Sequence, residues 1–338
     1  MNNSVGKTAY FHLPGLFEFY DFYKVFLPLF REHREYFYDW CAIGSIYGAP
    51  GDCLWGGGRM GYGEARPADV KSQMKEYDIS ARLTFSNSLL RPEHLADPEC
   101  NRLCRLFESQ KNGIIITSDL LLDFIRKNYP SFYFVSSTTK VLTAFSDFRK
   151  ELDRREFSYV VPDFRLNRRF EDLKALTSEE KDKTEFLVNE CCFFACPDRK
   201  ACYEAVSRMA LGEEDGSLEN EAVSGQLERG RGQASTSLNE NGRYHGSVSN
   251  SGREPFRCTS PDAAEGYRFS RAMKNPAFIS CEDIRNIYLP MGFSQFKIEG
   301  RSLGSALLLE FILYYMTRPE YQLNVREEIY LTNELDLF

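Results

Sequence analysis

Long apolar runs are missing from this chain of 338 residues. The longest, Leu303 to Met316, falls well short of the roughly 20 residues that cross a bilayer and contains Glu310, so it reads as a core helix. No signal-peptide core can be drawn near Met1, because His12, Pro14, Glu18, Asp21 and Lys24 interrupt the first apolar stretch. A cytoplasmic location without membrane contact is the expectation, and with it reduced thiols. Positive charge is not in excess either. The 42 Lys+Arg face 49 Asp+Glu, a net charge of −7, which excludes a global basic field for nucleic acid and leaves only a local groove open. The short catalytic signatures are absent: no HExxH and no GxSxG, and the glycine-rich stretch from Gly56 to Gly63 lacks the spacing and the Lys-Ser/Thr ending of a P-loop. That stretch reads as a surface or substrate-covering loop. No internal repeat of fixed period is visible, which excludes a solenoid.

What is present is core material and sulfur. Hydrophobic residues make up 43% and aromatic residues 14%, enough for a large core, and 10 Cys stand beside only 4 His. In a reducing compartment so many thiols suggest a metal. From Leu211 to Pro255 large apolar residues almost vanish, and Gly, Ser, Asn and Glu take their place. Such a segment cannot bury enough surface to offset its ordering entropy, so a disordered insertion is expected there, with His245 inside it. The expected organisation is therefore 1–210, 211–255 and 256–338.

Outside the insertion, short β-like runs alternate with helical patterns. Strands are expected at Ala9–Leu13, Cys41–Tyr47, Ser80–Phe85, Gly113–Thr117, Phe132–Ser136, Tyr159–Pro162, Glu185–Asn189 and Gln295–Ile298. Eight strands, each followed by a helix such as Leu16–Tyr38 or Thr143–Arg155, are the pattern of an α/β protein built as a TIM-like (β/α)8 barrel, with an open doubly wound sheet as the alternative. In a barrel the strand C-terminal ends carry the site. There the chain places His12, Arg82, Lys140, Glu190 and the alternating Lys297, Glu299 and Arg301, which share one face by the period of two. His12 is the best acid/base candidate by residue type, although a buried structural histidine is the commoner fate of such a residue. The last three suit either an internal ion pair or an anion-binding set.

The densest chemical signal is the run from Asn189 to Cys202, with thiols at Cys191, Cys192, Cys196 and Cys202. Thiolates select zinc or an iron–sulfur cluster, and Cys258, returning after the insertion, supplies a further sulfur. Whether Cys191 or Cys192 is the ligand stays open. Cys100 and Cys104, spaced four apart on an expected helix, read as packing, as do Cys41, Cys53 and Cys281.

Three groups of residues carry a resemblance: Asn189-Glu190-Cys191-Cys192 followed by Cys196-Pro197-Asp198-Arg199; Phe296-Lys297-Ile298-Glu299-Gly300-Arg301; and, more weakly, Arg82 to Asn87 with Phe134 to Lys140. Together they resemble the peptidase U32 superfamily and its clostridial-type relatives. The resemblance implies a TIM-like barrel with a cysteine-ligated 4Fe–4S cluster near the strand ends, here on Cys192, Cys196, Cys202 and Cys258, with zinc as the alternative. It implies an oxygen-independent redox or hydroxylation enzyme, acting on a small molecule or a nucleic-acid base and supplied by an electron donor. A U32-type peptidase and a non-catalytic, metal-stapled protein that binds a partner protein are the alternatives. Cys202 stands where close relatives carry His, and the long insertion is foreign to them.

Overall fold

A computed structural model describes residues 7–51, 53–57, 65–213, 258–259 and 267–333. All eight expected strands form: β1 (Ala9–Pro14), β2 (Cys41–Gly48), β3 (Ser80–Phe85), β4 (Gly113–Ile116), β5 (Tyr133–Ser136), β6 (Phe157–Val160), β7 (Glu185–Leu187) and β8 (Gln295–Lys297). They make one parallel sheet in the order β6-β5-β4-β3-β2-β1-β8-β7. A parallel bridge between Val160 and Thr184 joins the two ends. That bridge decides between the two architectures: the sheet is a closed (β/α)8 barrel, and its thinnest seam runs between β6 and β7.

Helices wrap the outside: α1 (Tyr20–Glu32), α2 (Pro67–Glu76), α3 (Pro98–Phe107), α4 (Asp119–Asn128), α5 (Phe145–Leu152), α6 (Phe170–Lys174), α7 (Ser178–Lys183), α8 (Arg199–Ala210), α9 (Phe269–Ala272), α10 (Cys281–Asp283), α11 (Ser305–Tyr315) and α12 (Gln322–Asn333). The sequence overextends α1, expected over Leu16–Tyr38. Gly15 instead turns the chain at φ +84°, and His33 leaves helical geometry at the far end. β6 sits two residues earlier than its apolar pattern suggests, because Pro162 has no N–H to continue the ladder. Three helices, α7, α9 and α12, have no counterpart in the sequence pattern. A capping box, with Glu180 N–H donating to Thr177 Oγ1 and Thr177 N–H to Glu180, starts the short α7, and α12 packs on α1. No helix among the described residues is long and apolar enough to cross a membrane. Most of the expected insertion, residues 214–255, lies outside the described residues, as do Gly58 to Gly63 of the glycine-rich stretch.

The strands are apolar on both faces because both are covered. Phe11, Leu83, Ile114, Phe134, Phe186 and Phe296 point outward into the layer between sheet and helices. Tyr47, Ile115, Val135, Val161 and Leu187 form a separate small cluster that fills the middle of the lumen. The apolar cluster lies between a largely buried polar floor and a polar mouth at the strand C-terminal ends.

Candidate functional site at the barrel mouth

The floor is built by alternation. Residues at every second position face inward, which puts His12, Ser45, Arg82, Tyr133, Tyr159, Glu185 and Gln295 together inside the barrel. Arg82 Nη1 donates to Glu185 Oε2 at 2.5 Å and its Nε to Tyr133 Oη at 2.8 Å, with the guanidinium over the Tyr159 ring at 4.7 Å. Burial opposes the Glu185 charge, but Arg82 first, then His12 and Lys297, hold its carboxyl down at about 2. His12 touches Ser45 Oγ at 2.8 Å and Gln295 Oε1 at 3.0 Å, and lies 3.4 Å from Glu185. Desolvation, with the positive Arg82 adding to it, pushes its pKa down to about 3, so the ring is neutral at ordinary pH. Ser45, His12 and Glu185 thus mimic the order of a hydrolytic triad. They are no more than 1% exposed, beneath the apolar plug, and His12 has almost no proton affinity to lend a serine.

Above the plug a narrow crevice is lined by Tyr47, Thr84, Ser137, Thr139, Lys297, Glu299 and Arg301 among others, with Tyr203 of α8 as part of its roof. The enclosed free space is about 10 Å³, room for a single water. Lys297 is 4% exposed, its Nζ 3.5 Å from the Tyr47 ring centre and 3.6 Å from Glu185 Oε1. Neither its Nζ nor the buried Thr84 Oγ1 has a hydrogen-bond partner among the described residues. Burial first, and then the nearby Arg82 and Arg301, bring the Lys297 pKa down to about 8. Asn189 positions Glu299 by accepting its backbone N–H at 2.7 Å and donating to its carbonyl at 2.9 Å. Ser137 and Thr139 share a hydroxyl contact at 2.9 Å.

Of the residues picked out in the sequence, Lys297, Glu299 and Arg301 meet at this mouth, whereas His12 and Arg82 belong to the floor. Lys140 turns outward to Glu151, at 2.6 Å, on α5. Glu190 is a brace: it accepts from Cys192 N–H at 2.9 Å and from Arg199 at 2.6 Å, while Arg199 Nε also lies 3.4 Å from Asp163. Two further residues were not anticipated. Glu185 opens an apolar run whose alternation points it inward, a readable signal. Glu18, between Phe17 and Phe19 after β1, gave none; it accepts Ser302 N–H at 2.9 and 3.0 Å, and burial raises its pKa to about 7.

The cysteine run leaves β7 and lies at the same end of the barrel. Cys196 is buried, Cys191, Cys192 and Cys202 are half-buried and Cys258 is exposed; none of the ten thiols is in a disulfide. Thr259 Oγ1 donates to Asp198 at 2.8 Å, so the chain beside Cys258 returns to the middle of the run. Cys191 Sγ turns instead toward Arg271 of α9, at 3.8 Å. Among the described residues no three His, Cys, Asp or Glu side chains are gathered closely enough to hold one metal ion. Cys53 and Cys100 lie together in the outer core, their sulfurs 3.3 Å apart.

Fold and site define a parallel (β/α)8 barrel with a buried ionic floor and a lysine-centred mouth. No family model matches the chain, and no curated protein matches it. Among solved structures the chain is similar to one described as the structure of the U32 peptidase Mk0906, with 15% sequence identity and a TM-score of 0.41 over 65% of this chain and 84% of that one.

Proposed function

We propose that the chain is an enzyme acting on a small molecule at the barrel mouth, with Lys297 as its central group. The observation that carries this reading is a buried amine with no hydrogen-bond acceptor among the described residues, set in the wall of the mouth cavity. An unsatisfied buried polar group destabilises a fold, and such groups concentrate where a ligand completes them. Ser137, Thr139, Glu299 and Arg301 around the same space orient a polar substrate of few atoms. Thermal unfolding in the presence of a panel of small carboxylates, phosphates and carbonyl compounds tests it. At least one is expected to raise the melting temperature of the wild type and not of Lys297→Met; ligands that stabilise both equally place the site elsewhere.

A second reading concerns the sulfur-rich run, and the return of Thr259 to Asp198 favours it. We propose Cys192, Cys196, Cys202 and Cys258 as ligands of a 4Fe–4S cluster, with zinc as the alternative. A bound cluster would supply one-electron transfer. Arg199, Glu190 and Asp163 hold the backbone of the run in place for it. After anaerobic purification, iron and acid-labile sulfide are expected in the wild type and lost in Cys196→Ser. Their absence from both removes the cluster and the hydroxylation chemistry that depends on it. The peptidase reading requires groups other than Ser45 and His12, which no peptide can reach where they lie. We propose a cytoplasmic location, where the many thiols of the sequence stay reduced.

A further inference from the structure

We propose that Lys297 is a nucleophile that condenses with the carbonyl carbon of a small aldehyde or ketone to form an imine; this rests on the mouth-site reading and deepens it. The charge count around Nζ carries the argument. Facing it are Glu185 from β7, Arg82 from β3, the neutral His12 from β1 and the Tyr47 ring from β2, with Glu299 and Arg301 beyond the end of β8. Glu299 and Arg301 balance one another in sign. Glu185 is already held by Arg82 at 2.5 Å, so Lys297 is a second cation on one carboxylate, 3.6 Å from its remaining oxygen. Arginine does not give up its proton, and His12 is already neutral, which leaves Lys297 as the group that relieves the surplus by becoming a free amine. Its titration near pH 8 agrees with that count. The aromatic face of Tyr47 at 3.5 Å attracts the ammonium by a cation–π contact but gives it no hydrogen-bond acceptor. Nζ and Glu185 Oε1 face each other at 3.6 Å as an ion pair without a hydrogen bond between them.

The cavity also supplies a partner for the substrate oxygen. Thr84 Oγ1 is buried, lines the same space and lacks a hydrogen-bond partner among the described residues. In the step itself the Nζ lone pair forms a C–N bond and the carbonyl π pair moves to oxygen. One amine proton passes to that oxygen, giving a carbinolamine whose hydroxyl Thr84 is placed to bind. Loss of the hydroxyl together with the second amine proton, as one water, leaves the C=N bond. No oxidant or reductant is consumed. Nucleophilic lysines of this kind depend on desolvation and a neighbouring cation, both present here.

Formaldehyde, the smallest carbonyl, is the probe. The full chain is treated at pH 7 with formaldehyde and cyanoborohydride, then digested and mapped by mass spectrometry. Lys297 is expected to be methylated before exposed lysines such as Lys71 and Lys75. Thr84→Val is expected to slow the reaction at Lys297 about tenfold while leaving Lys71 unchanged. Modification of Lys71 and Lys75 with Lys297 untouched overturns the imine. If a ligand from the panel still stabilises the wild type and not Lys297→Met, the mouth site stands without it; if neither result appears, both fall.

Discussion

Glu185→Leu is expected to cost about 3–5 kcal/mol of stability, enough to leave much of the protein unfolded at 37 °C, because it strands Arg82 and Lys297 as buried cations with no carboxylate. Leucine fits the volume and suits the neighbouring apolar plug, so steric fit does not explain the loss. Urea unfolding at pH 7 measures it. The double variant Glu185→Leu/Arg82→Met is expected to recover a large part, since it leaves one buried cation, Lys297, where the single variant leaves two. The pH dependence has a definite sign. Glu185 titrates at about 2 in the fold against an ordinary value of 4.5, so its contribution is present above pH 4.5 and is lost as pH falls toward 2. The difference between wild type and Glu185→Leu therefore narrows in acid. A loss under about 1 kcal/mol at pH 7 would show that water reaches the floor and that the ionic layer is not sealed.

How the sequence encodes this barrel differs between its parts. The strands were legible because a covered parallel strand is a short apolar run, and Gly113-Ile114-Ile115-Ile116 can be little else. Closure was not legible, since it rests on one bridge from Val160 to Thr184 that leaves no mark in either residue. Lys297, Glu299 and Arg301 were found by alternation, and they do line one cavity. Their setting was not, because Glu185 and Arg82, which decide the Lys297 charge, lie 112 and 215 positions earlier, the differences from 185 and 82 to 297. The position of the cysteine run followed from its place after β7. The directions of its side chains depend on Arg199, Asp163 and Arg271, contributed by segments far apart in the chain, and no spacing rule carries that information. Where local pattern and tertiary demand coincide, the sequence speaks plainly; where ionisable groups from four strands meet, only the closed barrel does.

Lys297→Met is expected to raise stability while abolishing reaction at the mouth, a combination a structural lysine cannot produce. Lys297 titrates at about 8 in the fold, below the ordinary 10.5, so folding releases its proton or retains it at a cost. Below pH 8 that cost is present in full; as pH rises from 8 to 10.5 the unfolded chain holds the proton the folded one has lost, and wild-type stability climbs. The gap between the two values amounts to about 3 kcal/mol at pH 7 and already includes the attraction to Glu185, so only the cation–π contact with Tyr47 is subtracted from it. A net gain of about 1–2 kcal/mol is therefore expected for Lys297→Met at pH 7, shrinking toward nothing by pH 10.5, read from urea midpoints across that range. A destabilisation of more than about 1 kcal/mol at pH 7 would make Lys297 a counter-ion of Glu185 and would remove the ground for both the mouth site and the imine. Groups that weaken a fold persist where they serve a reaction, and a methionine at this position measures how much stability the barrel gives up to keep its amine.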